Sequence, residues 1–228
     1  MGLTLGPRRF TPPALRIEEL PKPDIVLLSH AHLDHMDRAT LSALCERWPN
    51  QLQLITATNT LDVVEDLAWH TKQEMDWNET GTVCGVTITA LQVAHNGWRI
   101  PGEPCRAAGQ KRTGRSFNGY LLERNGVQVV FGGDTAYTQT FANLKKGVDL
   151  AIMPIGAYHG YQDMHCTPEE AVAMCQMMGA RSIMPVHFGT FRQSEEPPAE
   201  PPHRLMKAIQ RTNVLVVGMG LGGSFSIT

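Results

Sequence analysis

The run Ser29-His30-Ala31-His32-Leu33-Asp34-His35 sets three imidazoles and a carboxylate within six residues. Imidazole nitrogens and carboxylate oxygens are borderline ligands that suit zinc, manganese or iron. In extended chain alternate side chains share a face, so His30, His32 and Asp34 can converge while His35 reaches in from the next turn. A chance His-x-His-x-Asp-His match is expected in about one chain per thousand of this composition. A metal site is therefore a better reading than a polar turn with accidental histidines.

Three more residues stand immediately after apolar runs that read as strands: His95, Asp134 and His187. Each alone would be weak evidence, because a lone histidine after a strand is more often a hydrogen-bonded surface residue. With the cluster they complete a dinuclear set. One metal could take His30, His32 and His95, and the other Asp34, His35 and His187, with Asp134 bridging. Two adjacent cations would hold a bridging hydroxide and stabilise both the attacking and the leaving oxygens of a hydrolysis. Gly132 and Gly133 before Asp134 would let the backbone approach where a side chain would collide.

The elements that must carry these residues alternate. Asp24–Leu28 is predicted as a buried strand, Thr40–Trp48 as a helix, Leu52–Thr56 as a strand and Leu61–His70 as a second helix. Val83–Ala94 reads as one alternating strand running into His95. Phe117–Glu123 and Val127–Phe131 flank Asn125-Gly126, a strong hairpin signal. Asp149–Pro154 (strand), Pro168–Met178 (helix), Arg181–Val186 (strand) and His203–Arg211 (helix) follow, with short strands at Val214–Val217 and Ser224–Ile227. Thr167-Pro168-Glu169-Glu170 supplies a cap, a proline at the first helical position and a glutamate three residues after the cap. Strand–helix alternation is an α/β signature. Residues 1–23 form a proline-rich surface segment, and residues 1–228 read as a single domain.

The assembled pattern resembles the metallo-β-lactamase superfamily. Within it, several stretches look like the branch of N-acyl-phosphatidylethanolamine phospholipase D: Gly6-Pro7-Arg8-Arg9-Phe10, Glu19-Leu20-Pro21, Gly132-Gly133-Asp134-Thr135, Pro154-Ile155-Gly156-Ala157-Tyr158, His165 with Pro168-Glu169-Glu170-Ala171, and His187-Phe188-Gly189-Thr190. The resemblance implies a four-layer αββα sandwich with a dinuclear site at one edge and assigns the same seven ligands. Members of the branch begin with additional strands that have no counterpart before Gly6. The first strands of the N-terminal sheet are thus expected to be missing, as in a fragment or a chain whose start was assigned too far downstream.

The resemblance also makes His165 a pocket histidine that contacts substrate or donates a proton to the leaving group. Tyr158 and His159 lie in the same region as weaker substrate-binding candidates. Asp34 and Asp134 serve as ligands and as catalytic carboxylates, Asp134 orienting the nucleophile. Loop 96–116 holds Arg99, Arg106, Lys111, Arg112 and Arg115 against the single acid Glu103. Such a cluster, with Arg99 as its substrate-binding representative, suits a phosphate-bearing substrate. The expected activity is hydrolysis of a phosphodiester by a metal-bridged hydroxide, with two divalent ions, zinc foremost and manganese or iron as substitutes. A lactonase for a phosphorylated sugar lactone and a non-catalytic metal-binding relative are the rivals.

Composition narrows the setting. A net charge of -2, from 20 basic and 22 acidic residues, gives no global pull toward nucleic acid, and no basic stripe runs along any element. The five cysteines are odd in number and contain no Cys-x-x-Cys pair, which fits a reducing cytosol and a cytoplasmic location. No leader and no run of about 18 apolar residues is seen. Expected partners are a small-molecule or lipid-like phosphate substrate, with peripheral membrane contact and a homo-oligomer as further candidates. Cys166, lacking a base relay, reads as packing.

Overall fold

Short apolar runs bounded by polar turns become strands wherever backbone partners lie alongside. The computed structural model describes residues 9–104, 106, 113–144 and 147–227. It divides into two compact units, Leu15–Gly133 and Met1–Ala14 with Asp134–Thr228.

In the Leu15–Gly133 unit, β1 (Ile25–Leu27), β2 (Gln53–Ala57) and β3 (Thr71–Met75) form a parallel sheet in that order. Ile25 pairs with Gln53, and Gln53 with Thr71. Helix α1 (Arg38–Arg47) connects β1 to β2, and the Asp37 carboxylate caps it by accepting from the Thr40 amide at 3.1 Å. Four antiparallel strands follow: β4 (Thr80–Val83), β5 (Val86–Gln92), β6 (Asn118–Arg124) and β7 (Val127–Phe131). Strand β2 shows why both its faces are apolar. Leu54 packs with Leu28, Met36, Leu41, Leu44 and Trp69, whereas Ile55 packs with Met75, Ile88, Ala90 and Tyr120. Alternate residues of one strand thus serve a helix-side core and a core between sheets. Buried polar groups tie the second core together: the Tyr120 hydroxyl donates to the Leu28 carbonyl (2.9 Å) and the Asn118 amide to that of Met75 (2.9 Å).

In the other unit β8 (Leu150–Pro154), β9 (Ser182–Val186) and β10 (Leu215–Val216) are parallel, with β9 in the middle. Helices α2 (Pro168–Met177) and α3 (Glu200–Ile209) pack on each other. The expected capping box is present on α2, with Thr167 and Glu170 bonding each other's backbone amides.

Four expectations are corrected. Leu61–His70 is a single 3-10 turn (Leu61–Val63) followed by irregular turns. Its apolar residues still enter the helix-side core, but the Val64 carbonyl is taken by the Trp69 indole, and the His70 amide is drawn to Leu52 as β3 begins. The strand expected over Val83–Ala94 is broken by a two-residue turn at Cys84-Gly85, both with positive φ (50° and 74°), which makes Val83 and Val86 the closing pair of a hairpin. Strands β3 and β4 were not anticipated, because Thr71–Met75 and Thr80–Val83 are mostly polar edge segments. Ser224–Ile227 is irregular and largely exposed, and α3 begins three residues earlier than expected, with Pro201 and Pro202 in its first turn.

Candidate metal centre

The histidine run starts where β1 stops. The Leu28 amide still bonds to Ile55 (2.9 Å), and the chain then turns so that the amides of both His35 and Met36 donate to the His32 carbonyl. This turn folds His35 back toward His30, their ring centroids 4.3 Å apart. His30 Nε2 lies 2.9 Å from His32 Nδ1, and His95 Nε2 lies 3.3 Å from the same atom. His30, His32 and His95 each offer a ligand atom within 4.8 Å of the others. Asp34 Oδ2 is 3.4 Å from His35 Nε2. The Ser29 hydroxyl is 2.9 Å from His30 Nδ1 and Asn96 Oδ1 is 2.9 Å from His32 Nε2, contacts of the kind that fix ring orientation in metal sites. Asn96 was missed in the sequence, although it directly follows His95.

The second unit gathers a further set. Asp134 follows Gly133, whose φ of +59° and close surroundings leave no room for a side chain: an added Cβ would lie 2.8 Å from the Asn118 carbonyl. Asp134 is buried, with Oδ2 3.3 Å from His187 Nε2 and 3.9 Å from His165 Nδ1. The two imidazoles stack nearly parallel (11°) at 5.3 Å. These three residues also offer ligand atoms within 4.8 Å of one another. The Cys166 amide donates to the Thr135 carbonyl (2.7 Å), fastening the residue after His165 to the residue after Asp134. His187 leaves β9 with φ +61°, a left-handed conformation uncommon for a side-chain-bearing residue. The side-chain amide of Gln193, which carried no sequence signal, lies 3.0 Å from His187 Nε2.

The chemistry of these donors fits divalent metal ions. Each set converges neutral-capable imidazole nitrogens, and carboxylates supply the negative charge, the combination that borderline cations take. Cys166 and Cys175 are buried, which pushes the Cys166 thiol far above its ordinary pKa and that of Cys175 up to about 12.

The described arginines of the basic loop are engaged by the protein's own groups. Arg115 grips Asp62 with two nitrogens (2.6 and 2.9 Å) and also bonds Glu103 at 2.9 Å, which holds the Glu103 carboxyl down to about 2. Arg106 pairs with Asp76 and stacks over Trp77 at 3.9 Å. Arg99 donates from Nη1 to the carbonyls of Ala31 (2.8 Å) and Met36 (3.0 Å). The partners Asp62 and Asp76 lie far outside the loop in sequence. Lys111 and Arg112 fall outside the described residues. Tyr158 is buried, and its hydroxyl donates to Glu200 (2.8 Å) beneath Arg204. His159 is exposed, its amide donating to Glu196 (3.2 Å).

The family model for the beta-lactamase superfamily domain matches residues 2–188. The chain belongs to the metallo-β-lactamase superfamily. Among its relatives is an uncharacterized protein of Mycobacterium tuberculosis, 32% identical over 237 residues, covering 93% of this chain and 56% of the relative. Another is the mitochondrial N-acyl-phosphatidylethanolamine-hydrolyzing phospholipase D of Saccharomyces cerevisiae, 32% identical over 218 residues, covering 89% and 44%. A protein of Methanoculleus marisnigri named a metal-dependent hydrolase is 27% identical over 204 residues, covering 87% and 79%. The chain spans about half the length of the first of these curated relatives, at 56% and 44%. A solved metallo-beta-lactamase fold protein of Bacillus subtilis superposes with a TM-score of 0.61 at 19% identity, covering 90% of this chain and 78% of that one. The α/β sandwich expected for the superfamily is therefore the fold of this member. No helix among the described residues is long and apolar enough to cross a membrane.

Proposed function

We propose that this superfamily member is a dinuclear metal-dependent hydrolase acting on a phosphodiester of a lipid-like substrate. In this reading His30, His32 and His95 would hold one divalent ion and Asp34, His35 and His187 the other, with Asp134 as a further ligand. The observation that carries it is the convergence of imidazole nitrogens at the end of β1, where His30, His32 and His95 place ligand atoms within 4.8 Å. When bound, the ions supply Lewis acidity and lower the pKa of water toward neutrality. The similarity to a phospholipase D that hydrolyses N-acyl-phosphatidylethanolamine supports the phosphodiester.

The chain's own residues divide the remaining work. Asp134, buried and next to two imidazoles, orients the attacking water through its carboxylate. His165, whose Nδ1 is 3.9 Å from Asp134, would return a proton to the leaving alkoxide. His159 is exposed and open to substrate.

The test is metal analysis of the purified protein beside Asp134→Ala, with parallel assays on bis-p-nitrophenyl phosphate and a panel of lactones. Two zinc or manganese ions per chain, falling to one or fewer in the variant, are expected, together with phosphodiester cleavage that the variant lacks. Turnover of lactones alone would replace the phosphodiester by a sugar lactone. Metal binding with no turnover of either class would make the chain a binding relative.

A further inference from the structure

Arg99 was the loop arginine best suited by sequence to touch a phosphate, yet its guanidinium points into the protein's own backbone. One nitrogen, Nη1, donates both to the Ala31 carbonyl (2.8 Å) and to that of Met36 (3.0 Å). Those two carbonyls bracket His32, Asp34 and His35, with His30 one residue upstream. The root of the side chain is equally fixed. The Arg99 and Ile100 amides donate to Glu103 Oε2 (2.8 and 3.3 Å), and Glu103 is gripped by Arg115, itself clamped on Asp62. Two residues earlier Gly97 lies so close to Arg115 that a Cβ there would sit 2.2 Å from its carbonyl oxygen. His95 opens this same segment.

We propose that Arg99 is a positioning residue: it staples the His30–Met36 turn to the His95–Arg99 segment and so presets the spacing of the metal-binding imidazoles. The proposal rests on the metal reading above. Guanidinium suits the task because Nη1 carries two N–H donors in a fixed plane, one for each carbonyl, and the group stays charged on partial burial, whereas an ammonium is a hydrated point charge. Groups that orient ligands in this way typically change metal affinity by about 10- to 100-fold when removed.

The experiment compares wild type, Arg99→Met, Arg99→Lys and Glu103→Gln. Zinc and manganese affinities are measured by competition with a chromophoric chelator. Amide hydrogen exchange is measured on the metal-free proteins. Arg99→Met is expected to weaken zinc binding by about 10- to 100-fold, with Arg99→Lys recovering part of the loss and Glu103→Gln weakening it less. In the metal-free variants the amides of His35 and Met36, which share the His32 carbonyl, should exchange faster while those of the β5–β6 pair keep their protection. A merely structural arginine would lower protection everywhere and leave zinc affinity unchanged in the folded fraction. Unchanged affinity together with unchanged exchange at His35 and Met36 overturns the proposal. Should Arg99→Met not fold, Arg99→Lys and Glu103→Gln give both readouts. Wild type that binds neither metal refutes the hydrolase reading, and the exchange data still decide whether Arg99 holds the turn.

Discussion

Gly156→Ala isolates one contact on which the His187 position depends. Gly156 does not have the positive φ that favours glycine, so alanine suits its backbone. The obstacle is spatial: an added Cβ would lie 2.2 Å from the His187 carbonyl oxygen and 3.2 Å from its carbonyl carbon. Real Cβ contacts essentially never fall below 3.0 Å, so the β9 exit must retreat by about 0.8 Å. Overpacking of this kind costs about 1–3 kcal/mol. At about 2–4 °C per kcal/mol for a chain of this size, the melting temperature should drop by roughly 2–12 °C. A displacement near 1 Å at a positioned group costs about 100-fold in rate, and His187 is the residue displaced. Gly160→Ala is the control, since Gly160 has φ +82° and nothing within 4 Å of an added Cβ. It should lose only the left-handed backbone preference, about 1–2 kcal/mol, and keep its metal. Scanning calorimetry and metal titration of both variants decide the matter. Gly156→Ala with wild-type melting and wild-type metal affinity would show that β9 yields freely and that the contact does not position His187.

Tyr158→Phe removes the hydroxyl that donates to Glu200. It should cost about 1–2 kcal/mol in urea unfolding and leave kcat/KM within about threefold, whereas a tenfold loss at unchanged stability would identify Tyr158 as a substrate contact. Glu103 is held down to about 2 by Arg115, so its carboxylate contributes stability that is fully present above its ordinary pKa near 4.5 and is lost as pH falls toward 2. Melting temperature measured from pH 6 to 2 should therefore fall more shallowly for Glu103→Gln than for wild type. His187→Asn places a residue that tolerates left-handed backbone at φ +61°. The metal-free variant should melt at or above wild type while binding metal more weakly, and equal metal affinity would remove His187 from the ligand set.

Much of the frame was legible because local signals and tertiary demands agreed. Thr167 through Glu170 form the capping box their order suggests, and Asn125-Gly126 turn with φ of 52° and 81° as a tight hairpin requires. The strands leading into the histidines, β1, β5 and β9, were readable because their sequences are largely apolar. Where tertiary context decided, the sequence misled. Thr71–Met75 is a strand because β2 lies beside it, not because its own residues alternate. Leu61–Trp69 has helical apolar spacing, yet those residues reach the core from irregular turns once the Trp69 indole takes a backbone carbonyl. Charge was hardest of all to read. The loop arginines looked available because Asp62 and Asp76 stand tens of residues away, and only folding brings them to Arg115 and Arg106.

One donor residue, His187, has left-handed backbone, and physical cost explains why that is informative. A left-handed histidine costs about 1–3 kcal/mol and persists only where its surroundings over-determine it. His187 is fixed on several sides: its carbonyl is walled in at Gly156, its ring stacks on His165 at 5.3 Å, and Gln193 and Asp134 approach Nε2 at 3.0 and 3.3 Å. Packing alone would have been satisfied more cheaply by a glycine or asparagine at this bend. The His30–His35 turn makes the same argument by other means, because an arginine is spent on two backbone carbonyls to keep four polar side chains in a confined space. Stability gains little from crowding imidazoles at 4.3 to 5.0 Å. Cations shared among them would make that arrangement worth its cost, and this is the physical ground for reading the cluster as a metal centre rather than as a polar core.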